Sequence, residues 1–325
     1  MELTPEIVER IKQLDEKYGA MGQDMMSYLD GLLYADYLTY WDYINLDTLL
    51  SLQNPKTSFP DESIFIIYHQ ITELYFKLCL HEFEQIAYQK KRDADFFLAR
   101  VTRINRYFEA LTKSFDIMVD GMEKEQFLKF RMSLLPASGF QSGQYRMVEI
   151  CSADFVNLVK KEKRSKFSGT VTDSMIDEMF EHIYWKQGAT ELATGKKTLT
   201  LKQFEEKYSR SLINLAKEYK GKNLWQSYLA LSKEDQKRAD IIEAMQQNDV
   251  NVNVNWPLVH YKSAVRYLHR APDDIAATGG TNWQKYLPPR FQKRIFYPQL
   301  WSKTQVEEWG KGWVEEVIFE QKSNG

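Results

Sequence analysis

Along most of the chain, apolar residues recur at intervals of three and four, the repeat of a helix with one face turned inward. The pattern is densest in FIIYHQITELYFKLCLHEFEQI, from Phe65 to Ile86. Ile64, Tyr68, Ile71, Tyr75 and Leu78 form one stripe there, and Phe65, His69, Thr72, Phe76, Leu80 and Phe83 form a second beside it. Only Gln70, Glu73, Lys77, His81 and Glu84 make a polar strip. A helix apolar over most of its girth is expected to be buried, with His69 on a buried side. An imidazole there needs a partner, because a polar group left unmatched away from water costs about 1–3 kcal/mol.

The same spacing predicts the other elements. Thr4 and Pro5 set an N-cap and a first helical position, and the helix runs through Ile7, Ile11 and Leu14 to Gly19. A second carries Met25, Met26, Leu29, Leu32 and Leu33. Residues 38–55 are dense in aromatics and close on Asn54-Pro55. Helices are then expected from about Pro60 to Gln89, over 93–120 and over 123–135, which ends in PASGFQS. Others resume at Gln144 and over 172–188, 200–219, 233–247 and 303–321. Strand alternation is scarce, and VNVNVNW (250–256) is its best case. The expected fold is mainly α, a single interlocked helical domain over 1–325 without internal repeats or an obvious linker.

Composition narrows what such a bundle does. A net charge of −2 gives no global footprint for nucleic acid or an anionic membrane. No window approaches the roughly 18 uncharged apolar residues of a membrane span. MELTPEIVERIKQLDEKYG is charged and amphipathic with no apolar leader segment, so a cytoplasmic protein is expected. Aromatics reach 14%, and such surfaces suit a flat ligand as well as a core. Cys79 and Cys151, the two cysteines, make no C-x-x-C or C-x-x-C-H motif. SGFQSG (138–143) and TGGTNW (278–283) are glycine-rich, but neither follows a strand or matches a phosphate-binding pattern.

The five histidines, His69, His81, His182, His260 and His269, show neither H-E-x-x-H spacing nor a companion carboxylate cluster. That speaks against a multi-histidine metal site. A haem needs one axial histidine and an apolar pocket. His260, in WPLVHYKSAVRYLHR, has Trp256 one turn before it, Ala264 one turn after and Pro257 at an apparent helix start. On spacing alone, core packing and ligation both stay open for His260 and for His69. His81 and His182 sit among charges and read as solvated, and His269 reads as a loop residue.

FIIYHQITELYFK, FRMSLLPASGFQSGQYR, WPLVHYKSAVR and TGGTNWQKYL occur in that order. Together with the aromatic TYWDYINLD stretch they resemble the tryptophan 2,3-dioxygenase family, over roughly residues 37 to 300. The resemblance implies a helical haem-dioxygenase fold that opens the pyrrole ring of L-tryptophan with O2 to give N-formyl-L-kynurenine, the first step of tryptophan catabolism. His69 resembles the distal histidine that hydrogen-bonds the indole N–H, and Phe65 the aromatic packed on the indole. Arg131 resembles the arginine that grips the substrate carboxylate, a fit for a planar guanidinium. Phe127, one turn earlier, would line the same pocket, where some bacterial members can carry Tyr. Ser138 resembles the serine near the haem and indole edge, and Thr278 the threonine that meets the substrate ammonium. His260 resembles the axial ligand of a non-covalent haem b, ferrous in the active state. Tyr40, Tyr43 and Ile44 match a segment that reaches into a neighbouring subunit's pocket, implying a homotetramer built as a dimer of dimers, with residues 1–36 at the subunit interface.

The sequence also departs from that family. HRAPDDIAATGG is several residues longer than the usual link to T-G-G, Ala277 stands where a glycine is normal, and TNWQKYLPPR differs from the usual glycine-serine-rich tail. Gly143 replaces what is commonly a larger apolar residue. These changes leave two alternatives beside tryptophan cleavage: a haem-dependent oxygenase of another aromatic amino acid such as tyrosine, and a non-catalytic haem-binding protein.

Overall fold

A computed structural model describes residues 3–91, 93–134, 141–167, 169, 171–189, 196–267 and 293–310. The chain divides into two compact units, residues 1–54 and 55–325.

In the first unit α1 (Pro5–Ala20) is capped by the Thr4 hydroxyl, and α2 (Met25–Leu33) by Asp24, whose carboxylate accepts from the N–H groups of Met26 and Ser27. The two helices meet with Tyr18 stacked on Tyr28 at 4.3 Å. Thr39 caps α3 (Tyr40–Tyr43), and Asn45 takes the left-handed conformation, φ 52°, before α4 (Leu46–Leu50). Asparagine tolerates that region better than most residues. Among the described hydrophobic residues of this unit only Met25 is buried.

The second unit is built around α5 (Asp61–Tyr88), which packs along α6 (Ala94–Ser114) and α9 (Gly143–Ser152). Glu62 closes the loop before α5 by accepting from the N–H groups of Lys56 and Thr57 at 2.8 and 2.7 Å. Asp61 accepts from the Glu123 N–H at 2.6 Å and so ties the start of α5 to the start of α8 (Lys124–Ser133). Between α6 and α8 lies the short α7 (Asp116–Val119). Then come α10 (Asp173–Glu181), α11 (Tyr184–Gly188), α12 (Leu199–Tyr219), α13 (Leu224–Leu229), α14 (Ala239–Val250), α15 (Trp256–Tyr267) and α16 (Lys303–Glu307). One continuous core runs through Phe76, Phe83, Ile104, Phe108, Phe130 and Val148.

Two expectations need correction. The α5 helix is not buried on all its apolar sides: Ile67, Ile71, Leu74 and Leu78 form an exposed stripe, while Glu62 and Glu82 are buried. Glu82 is buried with partners, since Arg100, Arg103 and Tyr107 all reach its carboxylate. The alternating run near 250 is no strand. Asn251–Asn255 is a π-helix, π1, that joins α14 to α15. Both Val252 and Val254 are buried, and the side chains of Asn251, Asn253 and Asn255 each bond a residue four positions away. Pro257 consequently lies within a long helical run rather than at a free helix start.

Candidate active site

Phe65 and His69 lie one turn apart on α5, with ring centroids 4.1 Å apart. The Nδ1 of His69 is 2.7 Å from the Phe65 carbonyl oxygen. A carbonyl only accepts, so Nδ1 carries the proton and Nε2 keeps a lone pair. Phe65 meets Phe130 at 5.6 Å and Phe127 at 6.3 Å, and Phe127 leans on Tyr267 at 4.6 Å. These rings make one aromatic wall from α5, α8 and α15.

Arg131 stands one turn beyond Phe127 on α8 and is half-buried. Burial draws its guanidinium below the ordinary arginine range. Burial likewise depresses His69, and the positive charge of Arg131 adds to that, against opposing pulls from the Phe65 carbonyl and Glu73. Arg131 therefore lies within electrostatic reach of His69.

His260, on α15, repeats the local bond: its Nδ1 donates to the Trp256 carbonyl at 2.9 Å. The ring is held between Trp256 and Phe115, each at 4.4 Å, and these two meet edge to face at 5.4 Å. Burial pushes its pKa down to about 4, and the His69 charge contributes. Each histidine is deprived of bulk water, yet each keeps some accessible surface. Among the described residues, neither Nε2 has a hydrogen-bond partner.

The structure thus brings together Phe65, His69, Phe127 and Arg131, and sets His260 within the field of His69. Tyr40, Tyr43 and Ile44 belong to the first unit, where both tyrosines are exposed and Ile44 is half-buried. Ser138, Thr278 and His269 lie outside the described residues. Sequence reading did not single out Phe115 and Phe130, which the structure adds to the aromatic lining. It also missed Glu73 as a tie between helices: Gln144 of α9 donates to its carbonyl at 2.9 Å and its carboxylate at 2.8 Å. Gly143 has a structural reason, because a Cβ there would come within 2.5 Å of the Tyr208 ring. Tyr208 takes up the space a larger residue would fill.

Among the described residues no group of three or more His, Cys, Asp or Glu is placed to hold a metal ion. The donor set instead suits a metal that arrives already bound in a macrocycle and needs one axial nitrogen. An axial histidine is commonly oriented by its second ring N–H bonding a backbone carbonyl, and His260 makes that bond.

A family profile described as tryptophan 2,3-dioxygenase matches residues 31–259. The match ends one residue before His260. Tryptophan 2,3-dioxygenase of Bacillus thuringiensis subsp. konkukian (strain 97-27) is 28% identical over 272 residues, covering 80% of this chain and 89% of the relative. The enzyme of that name from Ruegeria sp. (strain TM1040) is 44% identical over 134 residues, 39% of this chain and 44% of the relative. That from Bradyrhizobium diazoefficiens is 40% identical over 111 residues, 33% of this chain and 38% of the relative.

Proposed function

The chain belongs to the tryptophan 2,3-dioxygenase family, and we propose that it is a haem-dependent dioxygenase that opens the pyrrole ring of L-tryptophan to N-formyl-L-kynurenine, with both atoms of O2 entering the product. The observation that carries the reading is the pair of half-buried histidines, each with Nδ1 bonded to the carbonyl four residues back and Nε2 left open, one beside aromatic rings and an arginine and the other between Trp256 and Phe115. His260 Nε2 would hold haem b on one side. Bound there, ferrous haem supplies the binding and activation of dioxygen.

The chain's own residues supply orientation. Arg131 offers two parallel N–H donors to the substrate carboxylate. Phe65 and Phe127 give the indole an aromatic wall. His69 Nε2 accepts the indole N–H, a role that requires a neutral ring, and burial and the Arg131 charge both keep it neutral. Its Nδ1–H stays on Phe65 O, which fixes the tautomer. Holding both reactants in one geometry removes a large part of the barrier. Ser138 at the indole edge, Thr278 on the ammonium, and Tyr40, Tyr43 and Ile44 from a neighbouring subunit complete the proposed pocket.

We assign the chain to a homotetramer in the cytoplasm, as one catalytic domain with residues 1–36 at the subunit interface. The first unit supports this, because it exposes Leu32, Leu33, Tyr34, Tyr37, Tyr40 and Tyr43. Contiguous apolar surface of that kind marks an association site. The exposed stripe on α5 points the same way. Leu74→Glu with Leu78→Glu is expected to lower the mass measured by light scattering, and an unchanged mass contradicts a role for the stripe. No helix among the described residues is long and apolar enough to cross a membrane. Cys79 and Cys151 are free and buried, as suits a reducing compartment.

One cuvette tests the activity: reduced, haem-loaded protein with L-tryptophan in aerated buffer, followed for N-formylkynurenine absorbance and oxygen uptake. Stoichiometric product and oxygen uptake support the proposal. A normal haem spectrum with no product from L-tryptophan, but product from another aromatic amino acid, overturns the substrate assignment.

A further inference from the structure

The run Asn251–Asn255 stands immediately before α15, the helix that carries His260, and its backbone is π rather than α: the Trp256 N–H bonds the Asn251 carbonyl, five residues back. π turns are rare, and in proteins they concentrate at functional positions. Their geometric effect is simple. One residue more per turn advances everything downstream by about 100°, the angle between successive residues of an α-helix. If the segment reverted to α pairing, a neighbour of His260 would take its place on the helix face it now occupies.

The sequence provides for this turn twice. Pro257 has no N–H, and in an α-helix its ring would collide with the carbonyl of Asn253. Pairing across five residues removes that carbonyl's dependence on the missing donor. The asparagines then fix the wide turn from outside the backbone: Gln247 and Asn255 both donate to Asn251 Oδ1 at 3.0 Å, and Asn253 donates to Asp249 at 2.6 Å. The Val252 carbonyl, freed by the wide turn, accepts from Tyr145 OH at 3.0 Å and from Arg294 Nη2 at 3.3 Å.

Arg294 is the clamp. It is buried, it bonds Asn253 Oδ1, and it forms an ion pair with the fully buried Glu149 of α9. Glu149 is further held by Arg146 at 3.0 Å and by Tyr184. Asp249, also fully buried, anchors the same distal segment from the other side, accepting from the N–H groups of Phe296 and Tyr297 at 2.9 and 3.1 Å and from Trp301 Nε1 at 3.0 Å. The α9 helix that carries Glu149 also carries Gln144, which grips Glu73 one turn beyond His69. The α9 helix thus joins the bonds that clamp the turn before His260 to the bonds that reach the helix of His69.

We infer that the π turn Asn251–Asn255, set by Pro257 and clamped by Asp249, Arg294 and Glu149, is a positioning device that fixes the rotation of His260 toward the haem it would hold. The inference rests on His260 being the axial ligand. Asn253 and Pro257 act through His260 and are positioning residues.

The test uses the full haem-loaded chain with Asn253→Ala and Pro257→Ala combined. This double variant leaves Asp249 three of its donors and leaves Arg294 its bonds to Glu149, Tyr145 and Val252 O. Haem loss to a scavenger globin is expected to quicken about 10-fold or more, the scale on which partners of metal ligands act. The ferrous iron–histidine stretching band is expected to shift or split with helix content close to the parent's, while loss of the two buried Asn253 hydrogen bonds lowers the unfolding temperature. Pro257→Ala alone removes no hydrogen bond and should move both readouts in the same direction by less, which keeps the test decisive if the double variant does not fold. A folded variant with a lowered unfolding temperature but an unchanged band and rate of haem loss overturns the inference and leaves the turn merely structural. His260→Ala separates the two levels: if it keeps full haem and the parent's band, the ligand assignment itself fails.

Discussion

His69 and His260 sit in nearly identical local geometry and in very different company. Each donates Nδ1–H to the carbonyl four residues earlier, and each has an aromatic residue at that earlier position. Around His69 the neighbours are partly charged, with Arg131 and Glu73 pulling its pKa in opposite directions. Around His260 they are Trp256 and Phe115, and burial takes its pKa to about 4. The hydrogen bond is thus generic, a way to fix a tautomer on any helix. On the proposed reading, the surroundings separate a histidine that meets a polar, oriented substrate from one that holds a metal among aromatic rings.

The sharpest way to break that contrast is to remove each side in turn. His260→Ala is expected to purify with only traces of haem and to show no turnover; full haem content, read by the pyridine haemochrome spectrum, contradicts the ligand role. Arg131→Ala should keep its haem but lose kcat/KM for L-tryptophan by about 100-fold or more, since hydrogen bonds between charged groups contribute roughly 1.5–3 kcal/mol each. Near-parent kinetics there mean that the carboxylate is held elsewhere. Between the two sides, Glu149→Ala leaves two buried arginine side chains without their shared carboxylate. Breaking a buried pair in that manner costs about 3–5 kcal/mol, so the midpoint of denaturant unfolding should drop sharply. A midpoint within experimental error of the parent removes the network from any account of stability.

The two regions also differ in how far they could be read from sequence. The α5 helix was legible because its stripes repeat over about five turns, and Phe65 and His69 fall on one face by spacing alone. Phe127 and Arg131 were linked by the same one-turn rule. The approach to His260 was misread because alternation of Asn and Val is the mark of a strand, and nothing local reveals that Asn253 and Val252 O will meet Arg294. The Arg294–Glu149 pair spans 145 positions, and such a pairing follows from packing rather than from periodicity. Burial was overestimated on α5 for the converse reason. Periodicity reports that Ile71 and Leu78 are apolar, whereas their exposure depends on which neighbours the chain supplies. The short α13 went unread because six residues offer too few repeats to stand out.

The smallest expected effect is the most specific to the His69 side. Burial first, and the Arg131 charge after it, lower the pKa of His69 below the ordinary value of 6.5. A histidine whose pKa is depressed in the fold stays neutral while the unfolded chain takes up a proton. Its share of folding stability is therefore intact above about 6.5 and declines as pH falls from there toward the lowered folded value. The same sign governs function if neutral His69 Nε2 accepts the indole N–H: the acid limb of kcat/KM should lie below 6.5, with a flat profile across neutral pH. A steady-state series from pH 5 to 8 with L-tryptophan reads this directly. An acid limb at or above 6.5 that disappears in His69→Ala would show that His69 carries its proton where the site requires a lone pair, and the contrast with His260 would then rest on the aromatic surroundings alone.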